Sequence, residues 1–349
     1  MEYIALKDVC QINMGQSPES SSYNENGEGI PFFQGNADFG ERYPVPRVWC
    51  NAPTKIANAG DILISVRAPI GALNYAKEEC CIGRGLAAIT PDPEKFSTEF
   101  IFWLLRGKNA ELNSKGTGST FKAIGRKVLE ETLVPDYGFE QQHSCAENLE
   151  KVYAIIQMRK QELLKLDELI KARFVEMFGN EKNLMPISDI CSIITDGTHQ
   201  PPKFRDTGIP FIFVSNITGD KVTYDAEKFI DQDTYDELIK RTPIEIGDVL
   251  LSTVGSYGHP AVVKSNKKFL FQRHIAYLKP RREIIDSDYL HGAILSPDAQ
   301  RQIEEGVKGI AQKTLNLSEI KKMRIPVPDM NKQKEFATFS AQADKSKVA

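Results

Sequence analysis

The chain has 349 residues, enough for two or three domains with cores of their own. Hydrophobic residues make up 41% and charged residues 26%, the balance of a soluble globular protein. A net charge of −3 argues against a uniformly basic nucleic-acid binder, so a basic surface would have to be local. No apolar run approaches the length of a transmembrane helix, and the start MEYIALKDVC is not a signal peptide. Cys10, Cys50, Cys80, Cys81, Cys145 and Cys191 show neither CxxC nor Cys/His ligand spacing. They read as reduced thiols in a cytoplasmic protein, with no metal site.

In chain order, LKDVCQINMG (residues 6–15) opens the first segment, followed by GIPFFQGN (29–36) and AGDILISVRAPIG (59–71). Ile62–Val66 is a β-rich run after a Gly-Asp turn, and Leu86–Thr90 is a second strand stopped by proline. Phe96–Arg106 reads as a helix after a Ser-type start, and Ile124–Thr132 as a short helix before a closing Val-Pro. Then comes Phe139–Asn180, without proline and with its one glycine, Gly179, near the end. Leu149, Val152, Ile156, Leu163, Leu166, Ile170 and Met177 recur at spacings that place them on one helical seam. Arg159 and Arg173 interrupt that seam, as register-setting polar residues do. A helix over about 140–178 would run roughly 58 Å. It reads as a coiled-coil spacer, because what precedes it is repeated after it.

The repeat is explicit. ISDICSIITDG (187–197) echoes residues 6–15, GIPFIFVSN (208–216) echoes 29–36, and IGDVLLSTVGSYG (246–258) echoes 59–71. FQRHIAYLKP (271–280) matches IGRGLAAITP (82–91), placing Arg273 on Arg84. VKGIAQKTLNLSEIKKMRIPVP (307–328) matches KGTGSTFKAIGRKVLEETLVP (115–135). Five matches in the same order identify an internal duplication: two mixed α/β domains, not a solenoid. Val249–Val254 and Ile275–Leu278 are the second copy's strands, and Asp288–Leu295 and Leu317–Lys322 its helices. From Asn331 a second helix of the spacer type begins, with Gln333 standing where Gln142 stands. The organisation is therefore domain 1 over 1–138, spacer helix over 139–180, domain 2 over 181–330, and the start of a second spacer helix over 331–349.

Catalytic motifs are missing from this reading. There is no glycine-rich cofactor loop after a strand, no Asn/Asp-Pro-Pro-aromatic motif and no GxxxxGK[ST] loop. Pro91-Asp92-Pro93-Glu94-Lys95 superficially resembles a nuclease signature but reads as a turn between strand and helix. What remains are polar loops rich in cations, hydroxyls and glycine. The stretch 115–122 carries Lys115, Thr117, Ser119, Thr120 and Lys122, able to offer cations to phosphates and hydroxyls to base edges, or simply to be solvated. Arg67 ends a strand nearby. Arg84 and Arg273, at one repeated position, read guanine or form structural ion pairs. Thr198, Lys203, Asn216, Ser256, Tyr257, Lys308 and Lys313 complete the candidate DNA-binding set in the second copy.

The ordered motifs, GIPF, AGDILIS and GSTFKAI with a following Val-Pro, twice over around a Glu/Gln-rich helix ending FVEMFGN, resemble the specificity subunits of type I restriction–modification systems. The resemblance covers the whole chain. It implies two target recognition domains, each reading one half of a bipartite DNA sequence. The helices would form an antiparallel coiled coil that sets the gap between half-sites and docks two methyltransferase subunits, with restriction/translocase subunits beyond. No cofactor is expected on this chain; S-adenosylmethionine, ATP and Mg belong to the partners. Two features depart from the pattern. The second helix is short, so the coil would be incomplete or completed by another chain, including a second copy. The loops of the two domains also differ, which implies an asymmetric target. The competing readings are a fragment of a fused restriction or methylation enzyme, and a coiled-coil scaffold without a DNA role.

Overall fold

The computed structural model describes residues 2–118, 122–309 and 313–347. Internal contacts divide the chain into two units, residues 1–158 and 159–349.

In the first unit an antiparallel sheet is built from β1 (Cys10–Met14), β3 (Ile62–Ser65), β4 (Leu73–Tyr75) and β6 (Leu86–Pro91), in the order β1–β6–β3–β4. Ile89 lies between Ile12 and Ile62 in register. Strand β3 is buried on both faces, and its two-residue period assigns each face a partner. Ile62 and Ile64 enter a cluster with Ile101 and Leu105 of helix α1 (Thr98–Gly107). Leu63 points the other way, to Ile82, Leu86 and Ala88. That second face is covered by a small sheet in which β2 (Ile30–Phe33) pairs in parallel with β5 (Cys80–Ile82). An uninterrupted apolar run with helix on one side and sheet on the other is the pattern the sequence shows. The turn into β3 needs the left-handed backbone of Gly60 (φ 89°), and Asp61 closes it by accepting the Asn58 N–H at 2.7 Å.

The second unit repeats this with β7 (Cys191–Asp196), β9 (Val249–Ser252), β10 (Pro260–Val262) and β12 (Ile275–Pro280), in the order β7–β12–β9–β10. Strand β8 (Ile209–Ile212) pairs in parallel with β11 (Leu270–Phe271), and helix α3 (Ser287–Leu295) takes the place of α1. Val249 and Leu251 face the α3 cluster while Leu250 faces the small sheet. In each unit the first and last strands also zip together: Tyr3–Ala5 with Leu133–Pro135, and Leu184–Pro186 with Arg324–Pro326.

The expected strands and helices are present with shifted ends. Both β6 and β12 stop at proline, which itself forms the last register pair of each, Pro91 with Cys10 and Pro280 with Cys191. The short helix expected over 124–132 is confined to Arg126–Glu130. All six cysteines are free thiols.

Helix α2 (Phe139–Phe178) is 40 residues long, about 60 Å at the α-helical rise. Its first turn is anchored to the first unit by Gln142, which is fully buried. Gln142 Oε1 accepts the Ser97 N–H at 2.8 Å, and Nε2 donates to the carbonyls of Lys95 (2.9 Å) and Tyr137 (2.7 Å). Helix α4 (Met330–Ser346) starts identically. Gln333 Oε1 accepts the Asp286 N–H at 2.8 Å, and Nε2 donates to Ile284 O (3.0 Å) and Pro328 O (2.9 Å).

Within the second unit α4 runs antiparallel to the second half of α2. Arg173 Nη2 lies 3.6 Å from Glu335, and Arg159 Nη2 donates to Ser346 O at 3.1 Å at the far end. Both seam arginines thus meet α4, one of them on the carbonyls of its last turn, where a cation is favoured. Phe174 and Phe178 close the pairing against Phe336 and Tyr289. Along the seam Leu163, Leu166, Ile170 and Met177 are half-buried. Leu149, Val152 and Ile156 remain 45–53% exposed, because the first half of α2 turns Ala146 and Tyr153 toward its own unit instead.

Candidate nucleic-acid interface

The candidate residues are positioned by one device used twice. The chain leaving β3 is held between two neighbours. Val66 N–H donates to Gly85 O at 2.9 Å, and Ile124 N–H donates to Val66 O at 2.9 Å. In the second unit Thr253 N–H donates to His274 O at 3.0 Å, and Leu315 N–H donates to Thr253 O at 2.8 Å. These bonds equate Arg84 with Arg273, Arg67 with Val254 and Lys122 with Lys313 residue by residue. Isolated bridges between Arg67 and Ala123, and between Val254 and Thr314, agree. Arg67, Arg84 and Lys122, far apart in sequence, are therefore gathered at one end of the first sheet.

A cleft opens at this end in each unit. In the first it has about 340 Å³ and is lined by Gln34, Asn36, Arg67 and Gly85 among others. In the second it has about 430 Å³ and is lined by Asp196, Thr253, Arg273 and His274. Among the described residues Arg67, Arg84, Lys122, Lys203 and Arg273 form no ion pair, and all five are exposed. Arg273 Nε stands 3.4 Å from His274 Nε2. Burial, and then the Arg273 charge, hold the His274 imidazole below its usual range, so it is neutral at pH 7.

Other candidates are committed elsewhere. Asn216 is buried; Oδ1 accepts the Phe213 N–H at 2.9 Å and Nδ2 donates to Asp225 O at 3.1 Å. In the first unit this turn is closed by Asp38, which accepts the Gln34 N–H at 2.8 Å, so Asp38 rather than Asn36 is its counterpart. Lys115 pairs with Glu111 at 2.7 Å, and hydrogen bonds from Lys108 and Lys115 hold that carboxyl below its ordinary range. Tyr257 Oη donates to Glu304 at 2.9 Å, with Lys313 4.0 Å from the same carboxylate. Lys308 lies 3.8 Å from Glu319. Thr117 exchanges two backbone hydrogen bonds with Ala123, and Thr198 N–H donates to Phe271 O at 2.9 Å. Ser256 is exposed in the turn between β9 and β10, while Ser119 and Thr120 lie outside the described residues.

Sequence reasoning missed Gln34, Asn36, Asp196 and His274. The available signal was their place just before or after a matched motif. Asp196 is held by His199 Nε2 at 2.9 Å, three residues on, and by Arg241 Nη2 at 2.5 Å, a pairing across 45 residues that no local pattern announces. No group of side chains able to hold a metal occurs among the described residues, and no described helix is long and apolar enough to cross a membrane.

Comparison with known proteins agrees with this architecture. The putative type I restriction enzyme MjaX specificity subunit of Methanocaldococcus jannaschii is 43% identical over 46% of this chain and 38% of its own length. The type I restriction enzyme EcoBI specificity subunit of Escherichia coli is 23% identical over 95% of this chain and 77% of its own. This chain thus spans well under half of the first relative and about three quarters of the second. The crystal structure of a type I restriction-modification S subunit from M. genitalium superposes with a TM-score of 0.52, covering 99% of this chain and 90% of that one at 14% identity, a likeness of fold. A family model described as the type I restriction modification DNA specificity domain matches twice, over residues 1–168 and 180–348. The duplicated domains, the helix shared between them and these two matches together show that the chain belongs to the type I restriction modification DNA specificity family.

Proposed function

We propose that the chain reads a bipartite, asymmetric DNA sequence, one half-site per domain, taking the domains as residues 1–138 and 181–330. Arg84 and Arg273 carry this reading. They occupy equivalent places beside equivalent clefts and make no ion pair among the described residues. An arginine whose guanidinium pairs with no carboxylate keeps its terminal nitrogens for an outside acceptor, and guanine O6 and N7 are the acceptors that fork fits. Arg67, Lys122 and Lys203 are placed to meet phosphates. The clefts differ in lining, Gln34 and Asn36 against Asp196 and His274, which favours two different half-sites.

On this reading α2 and α4 act as the spacer and as the dock for methyltransferase subunits, through which restriction subunits join. The exposed apolar residues Leu149, Val152 and Ile156 support a dock there. The test is methylation sequencing of a strain that expresses the chain with its methyltransferase. Arg84→Ala should relax one position in one half of the methylated motif, and Arg273→Ala one position in the other. Loss spread evenly over all sequences, or both halves changing with one substitution, would overturn it.

A further inference from the structure

One cavity recurs at a corresponding place in both units, about 560 Å³ in the first and about 630 Å³ in the second, and its lining differs between them. In the first, the Arg42 guanidinium lies 5.1–5.8 Å from the rings of Tyr75, Phe102, Trp103 and Tyr153 and is paired with Glu150. The matching residues of the second unit follow from shared hydrogen bonds. Gly60 N–H donates to Ala76 O and Gly247 N–H to Val263 O, so Tyr75 corresponds to Val262. The helix caps Ser97 and Asp286 equate Phe102 with His291. The paired glutamines equate Glu150 with Ala341. Tyr75, Phe102 and Glu150 are thus all replaced around the second cavity, which lies between α3, α4 and the loop at residues 220–224.

What that loop delivers is inverted as well. Arg42 O accepts the Tyr75 N–H at 2.8 Å, and in the second unit Lys221 bridges to Val262, so Asp220 arrives where the first unit brings its own cation. Asp220 sits in the left-handed region (φ 57°), which holds its carboxylate against the cavity. Its Oδ1 is buried without a hydrogen bond; the nearest cation-forming group is His259 Nδ1 at 3.5 Å. His291 Nε2 is buried and unpartnered too. Burial holds that imidazole below its usual range, and its proton is favoured on the side facing the Asp220 backbone, which leaves Nε2 as an acceptor. Of the cations around the cavity, Lys264 is paired with Asp288 and Lys347 with Asp344, while Lys221 and Lys345 are exposed at the mouth, where solvent screens them. Val222, Val262 and Ala337 supply an apolar wall.

We propose that this cavity receives the side chain of an arginine presented by a partner protein, its guanidinium on Asp220 Oδ1 and His291 Nε2 and its stem along Val222, Val262 and Ala337. Arginine suits the site better than lysine, because a weakly hydrated planar fork can satisfy two fixed acceptors at once. In the first unit the matching cavity is lined by an arginine of the chain itself, Arg42. The assignment does not rest on DNA reading, and its test uses no DNA.

The full chain, carrying isotope-labelled histidine, is titrated with acetyl-Gly-Arg-Gly-amide. The His291 signal is identified by its loss in His291→Phe, a change that supplies the side chain the first unit uses at this place. The expected result is a saturable His291 shift with half-saturation in the millimolar range. It should weaken about fivefold or more when citrulline, of equal shape but uncharged, replaces arginine, and likewise in Asp220→Asn, a residue that also tolerates φ above zero. Thermal unfolding reports whether each variant is folded. No saturable shift, equal binding of the citrulline peptide, or undiminished binding in folded Asp220→Asn would overturn the proposal. Tighter binding of free guanidinium or spermidine than of the peptide would assign the cavity to a small cation and overturn it equally.

Discussion

Replacing Gln142 by leucine tests how α2 is attached to its domain. Leucine nearly preserves the volume, so the packing around this fully buried side chain is retained while its polar edge is removed. Three hydrogen bonds of 2.7–2.9 Å disappear together. The Ser97 N–H and the Lys95 carbonyl lose this partner in a place closed to solvent, and each such orphan costs about 1–3 kcal/mol. With some relief from local rearrangement, the loss should be about 2–4 kcal/mol of first-unit stability. Gln333→Leu removes the equivalent bonds to Asp286, Ile284 and Pro328 and should weaken the second unit by a similar amount. Urea unfolding followed by probes in each unit distinguishes the two. Gln142→Leu should shift the transition seen by Trp103 fluorescence more than the one seen by a label in the second unit, and Gln333→Leu the reverse. A loss below about 0.5 kcal/mol in both variants would refute the claim that these glutamines anchor the helices, since that is the scale of a neutral surface change.

Further expectations can be checked on the same protein. Arg42→Lys should destabilise the first unit by about 1–2 kcal/mol in thermal unfolding, because a compact ammonium cannot stack on four rings and pair with Glu150 as a guanidinium does; wild-type stability in this variant would rule that out. Gly197→Ala would place a Cβ 2.3 Å from Phe271 O and should cost more than about 2 kcal/mol, whereas Gly107→Ala meets nothing within 4 Å and should be neutral or stabilising. Burial pushes the Cys10, Cys80 and Cys191 thiols up to about 12, so an aromatic disulfide reagent at pH 8 should modify half-buried Cys145 first and these three only in denaturant. Burial also raises the Asp248 carboxyl above 3.8, although Tyr277 donates to it at 2.8 Å. The folded chain then keeps a proton that the unfolded chain has released, so this group's contribution falls as pH rises above 3.8. Asp248→Asn should flatten that fall, and an unchanged pH profile would show that Asp248 does not set it.

The duplication was legible because both copies obey the same local chemistry. A Gly-Asp turn before an apolar run needs Gly60 or Gly247 at positive φ, and a helix start needs Ser97 or Asp286 as its cap. Such requirements leave marks in adjacent residues. The gathering of Arg67, Arg84 and Lys122 was legible only as three separate cations, since the bonds that join them cross tens of residues through backbone atoms that no side chain announces. Asn216 shows the opposite failure. A polar residue after a matched motif reads as a contact for DNA, but its amide is spent closing the turn before it. The seam on α2 was read as one stripe because periodicity cannot tell which neighbour a face meets. Gln142, Ala146 and Tyr153 meet one unit, and Ile170 and Met177 meet the cluster that holds Phe336 of α4.

The zipped ends of each domain give the chain the topology of a brooch on a pin. Tyr3–Ala5 lies against Leu133–Pro135, and Leu184–Pro186 against Arg324–Pro326, so each domain begins and finishes at one spot beside the helix that follows it. Everything that differs between the two clefts is enclosed above these two-stranded necks. A domain cut at its neck and replaced by another with the same three-residue pairing, the same helix-starting glutamine and the same apolar face toward the helix, Tyr289 in the second domain, would leave the supporting helix seated. On the proposed reading, a molecule built this way can acquire a new sequence preference in one recombination event, without passing through a series of weakened cores.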